Sequence, residues 1–234
     1  MFAYVPQTNF TRLRSRSRAM LRTDYFINGE KQMGLFSKKD KKEFAPNIDW
    51  IIVGLGNPGS QYANTRHNCG WLTMDRLAEK YGIKLTRIKF KSFCGEAVIS
   101  GKKCLVMKPT TMMNASGEAV VEAMNFYKLP IERVLVVCDD ISLDVGAIRI
   151  RRKGSDGGQK GLRSIIYLSG SDNFHRIKIG IGAKPHPDYD LAAWVLSRFT
   201  PQEFEKMNAA FDNAVSAAEL IIDSKTDEAM NKYN

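Results

Sequence analysis

No apolar run in this sequence approaches the ~18 residues that would suggest a membrane-spanning helix. Cysteine is sparse, and Cys69, Cys94, Cys104 and Cys138 are scattered without any C-x-x-C spacing. With no secretory signal evident, they are expected to be reduced, small buried hydrophobes in a cytoplasmic protein. Only three histidines are present and no two metal ligands are paired in spacing, which disfavours a zinc site. The body of the chain shows no internal repeat and no low-complexity tract.

What is there suits a globular protein with a real core. The chain has 234 residues, 44% of them hydrophobic and 26% charged, and a formal charge of +10. Part of the excess is local, since residues 1–32 hold six cations against two anions. The modestly basic remainder is compatible with a polyanionic partner.

Residues 1–48 read as a basic, disordered N-terminal extension, ending in the charge run and proline linker "KKDKKEFAPN". Within it, Met33 follows Gly29-Glu30-Lys31, and the Gly-Glu codons can read GGAGAA, like a bacterial ribosome-binding site. The hypothesis is that residues 1–32 are translated upstream sequence or a start-site misassignment. A gene with no purine-rich stretch before codon 33 would sink it. An organellar transit peptide is the other reading of the Arg/Ser-rich start.

Residues 49–234 read as a single domain. A buried strand is expected at Ile51–Gly54, then a helix marked by Trp71, Met74, Leu77, Ala78 and Tyr81 and ended by Gly82. Cys94–Ser100 and Lys103–Met107 look like strands joined at Gly101-Lys102. A helix at Met113–Tyr127, strands at Val134–Cys138, Ile148–Arg152 and Arg176–Ile181, and a helix near Gly161–Leu168 follow. Thr200-Pro201-Gln202-Glu203 is a capping box opening the last long helix. The expected fold is α/β, with a mixed, mostly parallel twisted sheet flanked by helices on both faces.

Directly after the first strand, Gly54-Leu55-Gly56-Asn57-Pro58-Gly59 spells G-x-G-x-x-G, the form of a dinucleotide-binding fingerprint. That site needs a helix to start inside the glycine run. Here Pro58 biases Asn57 toward a turn, and the residues after it are polar up to Asn68. Asp75, about 20 positions on, falls on the first helix rather than at a second strand end. The run therefore reads as a strand-end turn presenting Asn57, with a polar loop after it that delivers His67. Histidine in such a loop is a candidate general base.

Three more segments follow strands. "KPTTMMNASG" (108–117) offers Asn114 and several hydroxyls. "VLVVCDD" (134–140) ends a buried strand in two carboxylates, and such a carboxylate can fix the tautomer of a histidine base. "RIRRKGSDGGQKGLRS" (149–164) joins six cations to a glycine-rich turn, a composition suited to phosphate.

Together these blocks resemble bacterial-type peptidyl-tRNA hydrolase: "VGLGNPGSQYANTRHNCG", "KPTTMMNASGEAV", "VVCDDISLDVG", "RIRRKGSDGGQKGLRSII" and "FHRIKIGIG", in order, over about 49–199. The resemblance implies hydrolysis of the ester between a peptide and the tRNA 3′ end, recycling tRNA, by a cytoplasmic monomer that needs no metal or cofactor and no membrane. By motif, His67 matches the base that activates water and Asp139 the residue that orients it. Asn57 and Asn114 match the asparagines lining the substrate site, with Tyr62 beside them. Arg151 and Lys178 fall where the family places cations against tRNA phosphate. The family's glycine loop usually reads Gly-Gly-His-Asn-Gly, but here it is Gly157-Gly158-Gln159-Lys160-Gly161. Lys160 thus stands where a third substrate-site asparagine is usual, and either reaches a phosphate near the tRNA 3′ end or points to solvent. The rivals are a non-catalytic, splicing-factor-like RNA-binding member of the same fold, a Rossmann oxidoreductase, and a nucleoside-processing enzyme on a similar sheet. Joint retention of His67, Asp139, Asn57 and Asn114 argues against the first.

Overall fold

A computed structural model describes residues 46–234. The expectations of a basic extension and of Met33 as the start fall almost wholly on residues 1–45, outside the described ones. The strands are β1 (Trp50–Gly54), β2 (Arg87–Lys89), β3 (Ser92–Ile99), β4 (Lys102–Pro109), β5 (Val134–Asp140), β6 (Ile148–Arg151) and β7 (His175–Gly180). The helices are α1 (Cys69–Lys80), α2 (Ser116–Tyr127), α3 (Lys160–Ser169), α4 (Leu191–Val195), α5 (Pro201–Ile222) and α6 (Thr226–Tyr233).

The unbroken apolar run of β1 has the form of a strand buried on both faces. Trp50 and Ile52 pack into one core with α1, α5 and α6, while Ile51 and Val53 pack into a second with α2 and α3. One sheet in the order β2-β3-β4-β1-β5-β7-β6 separates the two cores. Its centre is parallel (β4-β1-β5-β7), and both edges are antiparallel. The α/β, mixed and mostly parallel expectation is what the structure has, with helices on both faces. Among the described residues, no helix is long and apolar enough to cross a membrane.

Several element bounds differ from the sequence reading by one to three residues, and β2, α4 and α6 had no counterpart in it. The β3–β4 turn is Ser100-Gly101, because Ile99 pairs with Lys102, and both turn residues take positive φ (47° and 75°), as tight hairpins demand. The 3₁₀ turn Met113–Ala115 precedes α2, which begins at Ser116. β5 runs on to Asp140, because Asp139 and Asp140 pair with Ile179 and Gly180 of β7. At α5 the capping box forms as read: Glu203 N–H donates to Thr200 Oγ1 (3.2 Å), and Thr200 N–H donates to Glu203 Oε2 (2.8 Å).

The glycines after β1 serve close packing. A Cβ on Gly54 would lie 2.2 Å from the Gly70 carbonyl oxygen, and one on Gly70 would lie 2.4 Å from that of Val137. The start of α1 thus seats directly on β1 and β5. Two 3₁₀ turns, Ser60–Tyr62 and Arg66–Asn68, lie between the glycine run and α1, so no helix starts inside that run as a dinucleotide site requires.

Candidate active site

The loops after β1 and β4 and the end of β5 lie at the carboxyl ends of the central parallel strands, where α/β proteins place their ligands. Asn57, after β1, is buried and locked by backbone pairing with Asn68. Its N–H donates to Asn68 Oδ1 (2.8 Å), and Asn68 Nδ2 donates to its carbonyl (2.9 Å). Its side-chain Oδ1 accepts the Met113 N–H at 2.8 Å. That bond fixes the amide's orientation, since a backbone N–H can only donate. The Asn57 Nδ2 hydrogens are thereby left as the group's remaining donors.

His67 sits in the turn before α1. Its Nδ1 lies 2.7 Å from Asp139 Oδ2, with the imidazole 11% and the carboxylate 3% exposed. The other carboxylate oxygen, Oδ1, accepts from Gln159 Nε2 at 3.0 Å, and Gln159 Nε2 also lies 3.2 Å from Met113 Sδ. These contacts close a ring through His67, Asp139, Gln159, Met113, Asn57 and Asn68, the last joined covalently to His67. Asp139 holds Nδ1 by its proton, so the lone pair of the neutral imidazole lies on Nε2, the form a general base needs.

The turn carrying His67 is itself clamped. The buried Arg66 guanidinium donates to Ile181 O (2.9 Å), to Ser197 Oγ (3.1 Å) and to both Glu203 carboxylate oxygens (2.9 and 2.8 Å). It also stacks over Trp194 at 3.9 Å and Phe199 at 4.8 Å. Burial opposes ionisation of Glu203, but hydrogen bonds from Arg66 and Thr200 outweigh it and hold the carboxyl below its ordinary value. Burial, and second the charge of Asp139, pushes the Cys69 and Cys138 thiols well above their ordinary value, which removes both as thiolate nucleophiles.

Of the residues singled out from sequence, His67 and Asp139 are in direct contact and Asn57 joins them through Met113. Asn114 lies exposed on the 3₁₀ turn beside Met113, and Tyr62 is half-buried on the first turn after Gly59. Lys160 is the exposed first residue of α3, next to Gln159. Arg151 and Lys178 lie apart from this ring. Strand pairing sets Arg149 beside Lys178 and Arg151 beside Arg176, which puts four cations on one face. Lys178 Nζ is engaged by Asp140 Oδ2 at 3.0 Å, and Arg151 donates to the Ile150 carbonyl. Burial works against the Asp140 charge, yet hydrogen bonds from Ser142 and then Lys178 hold its carboxyl below the ordinary value.

Asn68, Gln159, Arg66 and the Met113 backbone were not identified from sequence as parts of the site. Only Asn68 and Arg66 carried a local signal, as neighbours of His67 in the polar loop.

The family model described as Peptidyl-tRNA hydrolase matches residues 51–234. The chain is 52% identical over 186 residues to a peptidyl-tRNA hydrolase of Agathobacter rectalis, covering 79% of this chain and 100% of that one. It is 48% identical over 187 residues to one of Caldicellulosiruptor bescii, covering 80% and 97%. The crystal structure of peptidyl-tRNA hydrolase from Acinetobacter baumannii superposes with a TM-score of 0.74 at 39% identity, covering 78% of this chain and 92% of that one. The chain belongs to the peptidyl-tRNA hydrolase family, and its reaction is the hydrolysis of peptidyl-tRNA.

Proposed function

We propose that residues 49–234 form the catalytic domain, with 1–48 a basic extension before it. In this reading His67 is the general base, Asp139 its orienting partner, and Asn57 and Asn114 the substrate-binding amides. The observation that carries the reading is the 2.7 Å contact between His67 Nδ1 and Asp139 Oδ2 at a strand end. His67 Nε2 takes a proton from water as the water oxygen attacks the ester carbonyl carbon. Asp139 accepts the Nδ1 hydrogen throughout and stabilises the imidazolium that forms. The carbonyl π electrons move to oxygen, where an amide N–H stabilises the developing negative charge. Asn57 is oriented to donate here through Nδ2, since its Oδ1 is turned to the Met113 N–H. Asn114, exposed, is available both to donate and to accept a peptide N–H. Collapse of the tetrahedral species breaks the bond to the ribose oxygen, which takes the imidazolium proton and leaves as the tRNA hydroxyl.

Tyr62 and Lys160 join the substrate-binding residues, and Arg151 and Lys178 are the tRNA phosphate contacts. The last of these binds tRNA by exchanging Asp140 for a phosphate. The ring is complete within one chain, which supports a monomer, and the substrate is one of translation in the cytoplasm. The test is hydrolysis of an N-blocked aminoacyl-tRNA by wild type and Asp139→Asn. The asparagine can donate to Nδ1 and so favours the tautomer protonated on Nε2, the wrong one for a base. A kcat loss of roughly 10²–10⁴-fold is expected. Wild-type kcat in Asp139→Asn would contradict the reading.

A further inference from the structure

Gln159 is the residue at which a helix start and a carboxylate meet. It is the N-cap of α3, in extended backbone conformation, and its Oε1 accepts the Leu162 N–H at 2.8 Å. N-cap positions favour serine, threonine, aspartate and asparagine, whose short side chains fold back onto the first turn. Glutamine is one methylene longer than asparagine and does not belong to that set. What the extra length adds is the other end of the amide, which reaches Asp139 Oδ1 at 3.0 Å while the side chain stays buried. The partners fix which end is which: Leu162 N–H can only donate, and an ionised carboxylate can only accept.

Asp139 therefore has a donor at each oxygen, His67 at Oδ2 and Gln159 at Oδ1. The torsion about Cβ–Cγ of an aspartate is broad when nothing restrains it. With one donor, the carboxylate could turn and carry Oδ2 away from Nδ1. Two donors at opposite ends fix its plane. The amide does this without a charge, so the full negative charge of Asp139 remains directed at His67.

We infer that Gln159 is a positioning residue for the reaction: its amide holds the Asp139 carboxylate, and through it the His67 imidazole, in the geometry that takes a proton from water. This rests on the assignment of His67 as base and Asp139 as its partner. The capping bond and the bond to Asp139 are two separable jobs of one side chain. Serine at 159 keeps the first, being among the best N-caps, and is too short for the second.

The test is kinetics on an N-blocked aminoacyl-tRNA with Gln159→Ser, in the wild-type and in the Asp139→Asn background, beside thermal unfolding. Gln159→Ser is expected to stay folded, with an unfolding temperature lowered by the unpaired Asp139 Oδ1, and to lose on the order of 10-fold in kcat with KM within about twofold of wild type. In the Asp139→Asn background the same change adds no further loss, since the two residues act as one unit. Gln159→Asn, an amide and a strong N-cap that also falls short of Asp139, repeats the measurement should the serine variant fold poorly. Wild-type kcat in Gln159→Ser overturns the inference. So does an equal fractional loss in both backgrounds, which would make the role structural. If Asp139→Asn itself keeps wild-type kcat, the reading of the His67–Asp139 pair fails, and that outcome is distinct from failure at Gln159 alone.

Discussion

Arg66→Met is the perturbation that most directly separates the frame of the site from its chemistry. The methionine retains an apolar stem against Trp194 but removes every bond of the guanidinium. Ile181 O and Ser197 Oγ lose their donor, and Glu203 loses a two-pronged ion pair. Breaking a buried pair by removing one partner costs about 3–5 kcal/mol. The Glu203 side chain is 24% exposed and can hydrate once alone, which favours the lower end. The unpaired Ile181 carbonyl adds to this by about 1 kcal/mol or more. A total near 4 kcal/mol, at a urea dependence of about 2 kcal/mol per molar, lowers the unfolding midpoint by about 2 M. The folded variant is also expected to lose roughly 10-fold or more in kcat, because the clamp sets the turn that ends in His67. Urea titration followed by tryptophan fluorescence and a tRNA-release assay read the two effects. A midpoint within about 0.3 M of wild type, with wild-type kcat, would refute the clamp. Arg66→Lys tests the fork geometry, since an ammonium cannot serve all these acceptors at once.

Other consequences follow from the same structure. Glu203 and Asp140 both have folded carboxyls held below their ordinary value, so the stability they contribute is present above the unfolded carboxylate range and lost as pH falls through it. Thermal unfolding temperature should therefore drop below about pH 4, and less steeply in Arg66→Met, from which the Glu203 contribution is gone; parallel pH dependences would contradict this. Gly70→Ala places a Cβ 2.4 Å from Val137 O and 2.5 Å from Leu55 N, so α1 must lift from the sheet with the His67 turn at its head. A loss of about 3 kcal/mol in stability, together with reduced kcat, is expected in chemical denaturation and tRNA release. Lys160→Asn should retain turnover but change the ratio of KM for intact tRNA to that for a minimal 3′-end substrate, with a shallower salt dependence for the former. Identical kinetics on both substrates would remove Lys160 from tRNA contact.

The sequence carried the elements because their causes are local. The run Ile51–Val53 reads as a two-face strand, the 3/4 spacing from Trp71 to Tyr81 as α1, and Thr200–Glu203 as a capped start. Asn57, His67, Asn114 and Asp139 were legible as polar residues at the ends of apolar strands, and they lie after β1 and β4 and at the end of β5, at the carboxyl ends of the central strands. The connections were not legible. Gln159 meets Asp139 across 20 residues, Met113 meets Asn57 across 56, and Arg66 meets Glu203 across 137. No periodicity encodes contacts of that range. The Lys178–Asp140 pair is similar: read alone Lys178 is a phosphate ligand, while in the fold its Nζ is engaged by a carboxylate 38 residues away in sequence. The hairpin turn was displaced by one residue because Gly101 marks the second turn position rather than the first.

The central claim is that His67 is the base. It is tested most directly by the rate at which wild type and His67→Ala release tRNA from the same N-blocked aminoacyl-tRNA at saturating substrate. The result expected is turnover by wild type and a loss of about 10²-fold or more in His67→Ala measured under conditions where the variant is folded. Turnover by His67→Ala at the wild-type rate would contradict it.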